Sequence, residues 1–486
     1  MFRRFLIGIL FASGWLAGQQ QPVAFVDVTV VPMDREGLLP HRTVIVDHGR
    51  IVEIGPAETT RIPKAARTVD GRSKFLMPGL ADMHVHLNVQ GPDGILKNED
   101  FATLFLANGV TTIRNMWGNA STLAFRKSIE QGTVLGPHVY TTGPLTDGNP
   151  PSRRGSRVVE TVAQAVEAVT SDKREGYDAV KVYDQLLPEV YQAIVSTAHS
   201  FALPVYGHVP KAVGIERVLQ ARQDSIEHVG GYLDALGQDE SPQRVASLIN
   251  ATRVAGTWNC VTLVFYQGAI PAEEAARAAA RPSMRFVPPA LLSAWQNNPQ
   301  LASLTPYQFG RIRLYDKKRS EFVRALHAGS AKILLGTDTP NRFVVPGFAI
   351  HEELRNLVNL GFTPYEAIKS GTIDAADFLK QQDQFGTVAV GLRGDLLLLE
   401  GNPLLDVANV NRRTGVMVGG RWISERELNG RLQQLAESYT HLGQRSKPDK
   451  LLTPVVQKSG CTMLVHDAAT TRRAILKKIL VEERGP

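Results

Sequence analysis

Between residues 77 and 386, short apolar segments alternate with helical stretches, and this alternation limits the fold more than any other feature of the chain. Helical patterns include residues 161–170, 189–200 and 319–328. Eight strands are predicted, at 81–86, 111–114, 139–142, 179–183, 204–208, 225–228, 256–263 and 333–338. Strands that alternate with helices in this way predict an α/β fold, a (β/α)8 TIM-like barrel. Residues 267–315 are longer than one connection requires, so we expect a helical insertion over the barrel mouth.

Two β-rich pieces flank this middle part. Residues 23–76 contain β-branched segments and a tight turn at His48-Gly49, and residues 386–390, 395–399 and 415–418 resemble strands. We expect both pieces to join in one small β-sandwich. The predicted organisation is a signal peptide at 1–20, a composite β-sandwich domain at 21–76 plus 387–436, the barrel at 77–386 and a basic tail at 437–486.

The first twenty residues have the pattern of a secretory signal peptide. Arg3 and Arg4 precede an apolar run at 5–16, and the small residues Ala17 and Gly18 follow it. A membrane anchor is the alternative, but the run is shorter than the roughly 20 residues that span a bilayer. The arginine pair also fits a twin-arginine signal. We expect an exported bacterial protein, periplasmic or secreted, cleaved near Gly18 and without a membrane span afterwards.

The net charge of +7 lies at the two ends of the chain, because residues 1–4 and 441–486 together account for it. The body is neutral overall, which argues against a nucleic-acid partner. Hydrophobic residues make up 43% of the chain, enough for a large core. With only Cys260 and Cys461, a disulfide scaffold is excluded, and the sequence leaves open whether these two cysteines pair.

The predicted strands end in side chains that can bind metal. His84 and His86 share one face at the end of the first strand, roughly 6–7 Å apart. The other such residues follow or lie in strands four, five, six and eight: Lys181, His208, His228 and Asp338. Each alone has a structural explanation, such as a hydrogen-bonded core histidine, a snorkelling lysine or a helix-capping aspartate. Their coincidence at the catalytic end of one barrel predicts a metal site.

Several motifs resemble the amidohydrolase superfamily over about residues 23–425. They are Met-Pro-Gly-Leu-Ala-Asp-Met-His-Val-His at 77–86, the strand-four lysine, Gly-His at 207–208, Glu-His at 227–228, Gly-Thr-Asp-Thr at 336–339, and the segments beginning at Thr363 and Gly386. The resemblance is to the binuclear, carboxylated-lysine type, in the branch of imidazolonepropionase-like hydrolases and Xaa-Pro dipeptidases. Asn115 and Asp374 depart from the residues usual in relatives, which puts substrate fit in doubt rather than the metal site.

The resemblance implies two metal ions and assigns their ligands. His84, His86 and Asp338 would bind the first ion, and His208 and His228 the second. Lys181 would bridge both as an N-carboxylated lysine, since an ammonium group has only donors, whereas a neutral buried lysine can react with carbon dioxide. Imidazole and carboxylate ligands suit zinc, with manganese, cobalt or iron as alternatives.

The expected reaction is hydrolysis of an amide-type C–N bond in a dipeptide, an N-acyl amino acid or a related small amide. Two metal ions about 3.5–4 Å apart can share one hydroxide, which would attack the substrate carbonyl. Asp338 is the expected general base and then acid, and Tyr183 is a candidate to bind the carbonyl or a substrate carboxylate. Packing at a strand end is an equally good explanation of Tyr183.

Other hypotheses stay open. An esterase, lactonase or phosphotriesterase could use the same site, and a barrel that binds a ligand without turnover is a third alternative. Arg342 could pair with a carboxylate, although a surface position is favoured, and His327 and His351 are interpreted as structural. The expected partner is a small amide or peptide substrate, and a homo-oligomer is neither required nor excluded.

Overall fold

The computed structural model describes residues 21–87 and 96–445. The predicted signal peptide, Cys461 and most of the predicted tail lie outside these residues. The strands are β1 (Val23–Val30), β2 (Leu39–Asp47), β3 (Arg50–Pro56), β4 (Arg67–Asp70), β5 (Phe75–Pro78), β6 (Leu80–Val85), β7 (Val110–Asn115), β8 (His138–Asp147), β9 (Arg157–Val158), β10 (Ala179–Val182), β11 (Val205–Gly207), β12 (Ser225–Glu227), β13 (Trp258–Cys260), β14 (Ile333–Leu334), β15 (Leu396–Leu399), β16 (Arg413–Val418) and β17 (Arg421–Ser424).

The described residues also form sixteen α-helices. They are α1 (Asn98–Ala107), α2 (Ala120–Glu130), α3 (Val162–Glu175), α4 (Pro188–Ser200), α5 (Ile215–Gln220), α6 (Tyr232–Leu236), α7 (Pro242–Ala255), α8 (Leu263–Tyr266), α9 (Ala272–Ala279), α10 (Pro289–Gln296), α11 (Pro299–Ala302), α12 (Pro306–Ala328), α13 (Phe348–Asn359), α14 (Pro364–Lys369), α15 (Ile373–Phe378) and α16 (Glu425–Arg445), with 3-10 turns at Pro282–Phe286 and Val407–Asn411. None of the helices in the described part of the chain is long and apolar enough to cross a membrane.

Eight parallel strands form the barrel in the order β14-β13-β12-β11-β10-β8-β7-β6, and the short strand β9 pairs with β8. Backbone bonds join the first strand to the segment after the last: Met83 N donates to Leu335 O (2.9 Å), His86 N donates to Thr339 O (2.8 Å) and Asp338 N donates to His84 O (2.7 Å). The barrel is therefore closed next to the two histidines of β6. The eight predicted strands and the (β/α)8 prediction are confirmed.

The smaller sheet contains strands that precede the barrel in the sequence and strands that follow it. The two sets meet where β5 pairs antiparallel with β15. Its order is β17-β16-β15-β5-β1-β2-β3, with β4 against β1. Alternate residues of β15 face different cores: Leu396 and Leu398 lie in the core of the small sheet, and Leu397 and Leu399 lie in the barrel core. The expected strand at 386–390 is wrong, because this segment makes isolated backbone bonds, such as Val388 N to Pro32 O (3.0 Å), and no ladder.

The insertion at 267–315 is helical, as expected, and comprises α9 to α11 and the start of α12. It reaches the carboxyl end of the barrel through Arg342, whose guanidinium donates to the carbonyl oxygens of Trp295 (2.5 Å) and Gly268 (2.7 Å). Arg342 is buried, so the expectation of a surface arginine is wrong. At the other end of the barrel segment α16 packs on α1, and Tyr439 donates to Asp100 (2.9 Å). The predicted boundary at residue 437 falls within α16.

Replacing Leu397 with alanine should lower the free energy of unfolding by about 2–5 kcal/mol, because it leaves a cavity where the small sheet packs on the barrel. Leu405→Ala is the control, since Leu405 is 80% exposed. The control should change stability by less than about 0.5 kcal/mol. Urea unfolding of both variants measures the difference. Equal stabilities would show that β15 does not tie the two cores together.

Candidate metal centre

The polar residues predicted from the strand ends converge on one buried point. His84 Nε2 lies 3.3 Å and His86 Nε2 lies 2.8 Å from Asp338 Oδ1, and His228 Nε2 lies 3.9 Å from Asp338 Oδ2. The ring centre of His208 is 5.1 Å from that of His228. Closure of the barrel brings His84 and His86 next to Asp338, because β6 and the segment after β14 are neighbours.

Lys181 lies on β10, within the same group of side chains, and is fully buried. Burial lowers the pKa of its ammonium to about 8, although the carboxylates of Glu227 and Asp338 oppose this shift. Burial also lowers the pKa of His84 and His228 well below the ordinary value of histidine, and the positive charge of Lys181 contributes. Neutral imidazoles have the free lone pair that a metal ion requires.

Three of the histidines are oriented by a partner at Nδ1. His84 Nδ1 lies 2.7 Å from Glu227 Oε2, and His208 Nδ1 lies 2.7 Å from Asp184 Oδ1. His228 Nδ1 lies 2.6 Å from Thr262 Oγ1. Such contacts fix the ring and direct its other nitrogen towards a metal. The sequence motifs indicate no role for these three partners, although Asp184 directly follows a predicted barrel strand and Glu227 lies near the end of another.

Arg114 supports the Glu227 contact from the interior of the barrel. Its guanidinium donates twice to Glu227 (3.0 Å each) and once to Met83 O (2.5 Å), and it lies 4.7 Å from the ring centre of Tyr206. Burial alone would raise the pKa of Glu227, but the neighbouring guanidinium lowers it below its ordinary value. Glu227 therefore remains a carboxylate, which accepts the Nδ1 hydrogen of His84.

The donor atoms fit a divalent metal. His84 Nε2 and Asp338 Oδ1 are buried and form no hydrogen bond with any residue that the structure describes, which is costly for polar atoms unless another group binds them. His84, His228 and Asp338 present ligand atoms that all lie within 4.8 Å of one another. Imidazole nitrogen and carboxylate oxygen are the ligands typical of zinc.

Tyr183 lies at the edge of this centre. Its ring centre is 4.0 Å from that of His208, and its hydroxyl accepts a hydrogen bond from Arg153 Nε (2.9 Å). Burial raises the pKa of Tyr183, so the hydroxyl stays protonated at neutral pH. Arg153 is buried as well, and no sequence motif predicts its position beside Tyr183.

The other residues considered from the sequence form contacts that support the fold. Asn115 accepts from Leu87 N (2.7 Å). Asp374 pairs with Lys369. His327 stacks on Phe362 with ring centres 3.8 Å apart. His351, which is buried, contacts Arg413 NH1 at 3.0 Å.

A profile of the Amidohydrolase family matches residues 75–423, and the chain belongs to this family. Family membership confirms the predicted superfamily and indicates a hydrolase that acts on carbon–nitrogen bonds.

Curated relatives cover different shares of the chain. The ochratoxinase of Aspergillus niger is 26% identical over an alignment of 440 residues, which covers 78% of this chain and 81% of that protein. An imidazolonepropionase of Fusobacterium nucleatum is 23% identical over 381 residues, covering 74% of this chain and 84% of that protein. The match to adenine deaminase 2 of Shouchella clausii is 25% identical but spans only 31% of that enzyme and 36% of this chain.

Two solved structures share the fold over most of the chain. The bottromycin amidohydrolase AH superposes with a TM-score of 0.72 and 25% identity, covering 87% of this chain and 92% of that one. A structure described as a prolidase from Bifidobacterium longum gives a TM-score of 0.67 and 25% identity, covering 86% and 99%.

Replacing Arg114 with methionine should destabilise the protein by about 3–5 kcal/mol, because the buried Glu227 carboxylate loses its counter-charge. Arg35→Met is the control, since Arg35 forms only an exposed ion pair with Asp34. The free energy of unfolding in urea, measured after metal chelation, separates this effect from metal binding. Equal values for both variants would contradict the role given to Arg114.

Proposed function

We propose that the chain is an exported, metal-dependent hydrolase of dipeptides, N-acyl amino acids or related small amides. The observation that carries the proposal is the convergence of three histidine Nε2 atoms, those of His84, His86 and His228, on the carboxylate of Asp338 at 2.8–3.9 Å. Export rests on the signal-peptide pattern of residues 1–20. The relatives that act on amides, the bottromycin amidohydrolase among them, support the choice of bond.

The resemblance to the binuclear amidohydrolases implies the proposed ligand set. His84, His86 and Asp338 would hold one divalent ion, and His208 and His228 would hold the second. Lys181 would contribute to both after its neutral amine has reacted with carbon dioxide and lost a proton. Zinc suits these donors, with manganese, cobalt or iron as alternatives. When bound, such ions polarise a carbonyl and lower the pKa of water to about 7.

Asp338 is the proposed proton carrier. Its carboxylate is held in place, because its backbone N–H donates to His84 O (2.7 Å) and Asn341 Nδ2 donates to Oδ2 (3.4 Å). Asp338 Oδ2 accepts a proton from the attacking water and delivers it to the nitrogen of the departing amine. A general base and a general acid are then the same group, and no further carboxylate is required.

Arg153 and Tyr183 are proposed to bind a carboxylate of the substrate. Asp147 fixes the loop that carries Arg153, because it accepts from the backbone N–H groups of Ser152 (2.6 Å) and Gln185 (2.6 Å). The guanidinium and the hydroxyl thus lie side by side, next to His208. A carboxylate binds such donors through charge-assisted hydrogen bonds, so amides of amino acids are favoured over neutral amides.

Asp338→Ala should lower the rate of amide hydrolysis roughly 100- to 10,000-fold, the range of general acid–base catalysis. Asp377→Ala, at an exposed position of α15, should retain full activity. The assay follows amine release from dipeptides and N-acyl amino acids, and hydrolysis of matching esters and lactones, with and without chelation and re-addition of zinc or manganese. Chelation-sensitive turnover of esters or lactones alone would refute the choice of bond. Binding without turnover in both variants would favour a non-catalytic barrel.

Arg153→Gln should raise KM about 10- to 100-fold for an N-acyl amino acid, since hydrogen bonds to charged groups contribute about 1.5–3 kcal/mol. The corresponding carboxamide should show no such change. Arg154→Gln is the matched control, because Arg154 is the exposed neighbour on the same loop. An equal loss for acid and carboxamide would show that Arg153 only supports the fold.

A further inference from the structure

A short segment holds His228 on three sides. Thr262 Oγ1 lies 2.6 Å from His228 Nδ1, and the ring of Phe265 packs on the imidazole with ring centres 5.5 Å apart. Tyr266 donates its hydroxyl hydrogen to the backbone oxygen of His228 (3.3 Å). These contacts come from residues 262–266, which include α8, and we name this segment the clamp.

The backbone at His228 needs such support. His228 has φ of +63° and Val229 has φ of +55°, so two consecutive residues with a Cβ adopt the left-handed region. This conformation costs of order 1–3 kcal/mol per residue and persists only where surrounding contacts impose it. Without the clamp, the orientation of the His228 imidazole would no longer be fixed.

The clamp is tied to the barrel by a carboxylate from a distant helix. Glu353 on α13 accepts hydrogen bonds from Leu263 N and Val264 N, both at 2.7 Å. These N–H groups begin α8 and have no acceptor within the helix itself. Asn356 adds a third contact, because its Nδ2 donates to Glu353 at 3.3 Å.

Glu353 reaches these N–H groups from a buried position. It is fully buried and forms no ion pair within the described ranges, and burial raises its pKa to about 7. Burying a carboxyl group costs free energy, and the two hydrogen bonds from the start of α8 offset part of that cost. An apolar side chain at this position would leave both N–H groups without an acceptor.

The outer side of the clamp faces Arg319, whose guanidinium carbon lies 3.3 Å from the ring centre of Tyr266. A cavity of about 230 Å³ opens beside this contact and is lined by Leu263 and Asn356 among others. The two bonds from Glu353 oppose any movement of the clamp towards this cavity.

We infer that Glu353 is a positioning residue, which holds the clamp against His228 and thereby fixes the imidazole for the second metal ion. The inference rests on the proposed function, in which His228 is a ligand of that ion. Within the described ranges Glu353 forms no hydrogen bond to the proposed ligand side chains, and it acts through the clamp.

The test is the affinity for the second zinc ion in Glu353→Gln. Glutamine preserves the shape but offers one oxygen for two N–H groups, so the clamp loses a bond. We expect the second zinc ion to bind about 10- to 100-fold more weakly, the range for the loss of an orienting contact. Glu352→Gln, on the solvent side of the same helix, should bind zinc as the unaltered protein does. Titration with a zinc-buffering chelator gives both affinities, and the absorption spectrum of the cobalt-loaded protein reports the ligand geometry.

His228→Asn separates the inference from the proposed function. If this variant still binds two zinc ions with unaltered affinity, the assignment of His228 as a ligand fails. If it loses one ion while Glu353→Gln keeps both at full affinity and an unaltered cobalt spectrum, only the role of Glu353 is refuted. Should Glu353→Gln not fold, Glu353→Asp decides the question: its shorter carboxylate cannot reach both N–H groups, so unaltered zinc affinity overturns the inference and weakened affinity supports it.

Discussion

Closure of the barrel beside His84 is the constraint on which the site depends. Asp338 N donates to His84 O, and His86 N donates to Thr339 O, so the first strand and the segment after the last strand are held in register. The same bonds bring the imidazoles of β6 to the Asp338 carboxylate. A register shift at this seam would turn alternate side chains to the opposite face and separate the ligands.

The interior of this barrel contains more charge than an apolar core would tolerate. Arg114, Glu227, Lys181 and Asp338 are all buried. Direct pairing offsets part of the desolvation cost, as between Arg114 and Glu227. Among the described residues, His84 Nε2 and Asp338 Oδ1 are two buried atoms that form no hydrogen bond, and they lie 3.3 Å apart. His84, His228 and Asp338 form a group that could hold a metal ion, and imidazole nitrogen and carboxylate oxygen are typical metal ligands.

The sequence predicted the parts of the site that short motifs encode. The eight strands and the convergence of His84, His86, His228 and Asp338 follow from apolar periodicity and from the rule that catalytic residues lie at the carboxyl ends of barrel strands. It did not predict the roles of Arg153, Thr262 or Glu353, because each forms its hydrogen bond with a residue that is distant in the sequence. Arg342 was assigned to the surface because its burial depends on the helical insertion, whose packing no local pattern reveals.

The sequence by itself determined the fold class, the composite sheet and the identity of the polar side chains that meet at the strand ends, because strand periodicity and strand-end polarity are local properties. The tertiary structure alone decided which groups orient those side chains. The distance from Glu353 to the amides of Leu263 and Val264 is 2.7 Å in space but about ninety residues along the chain. Hydrogen bonds of this kind depend on the packing of α13 against α8, and packing is a property of the whole folded chain rather than of any segment.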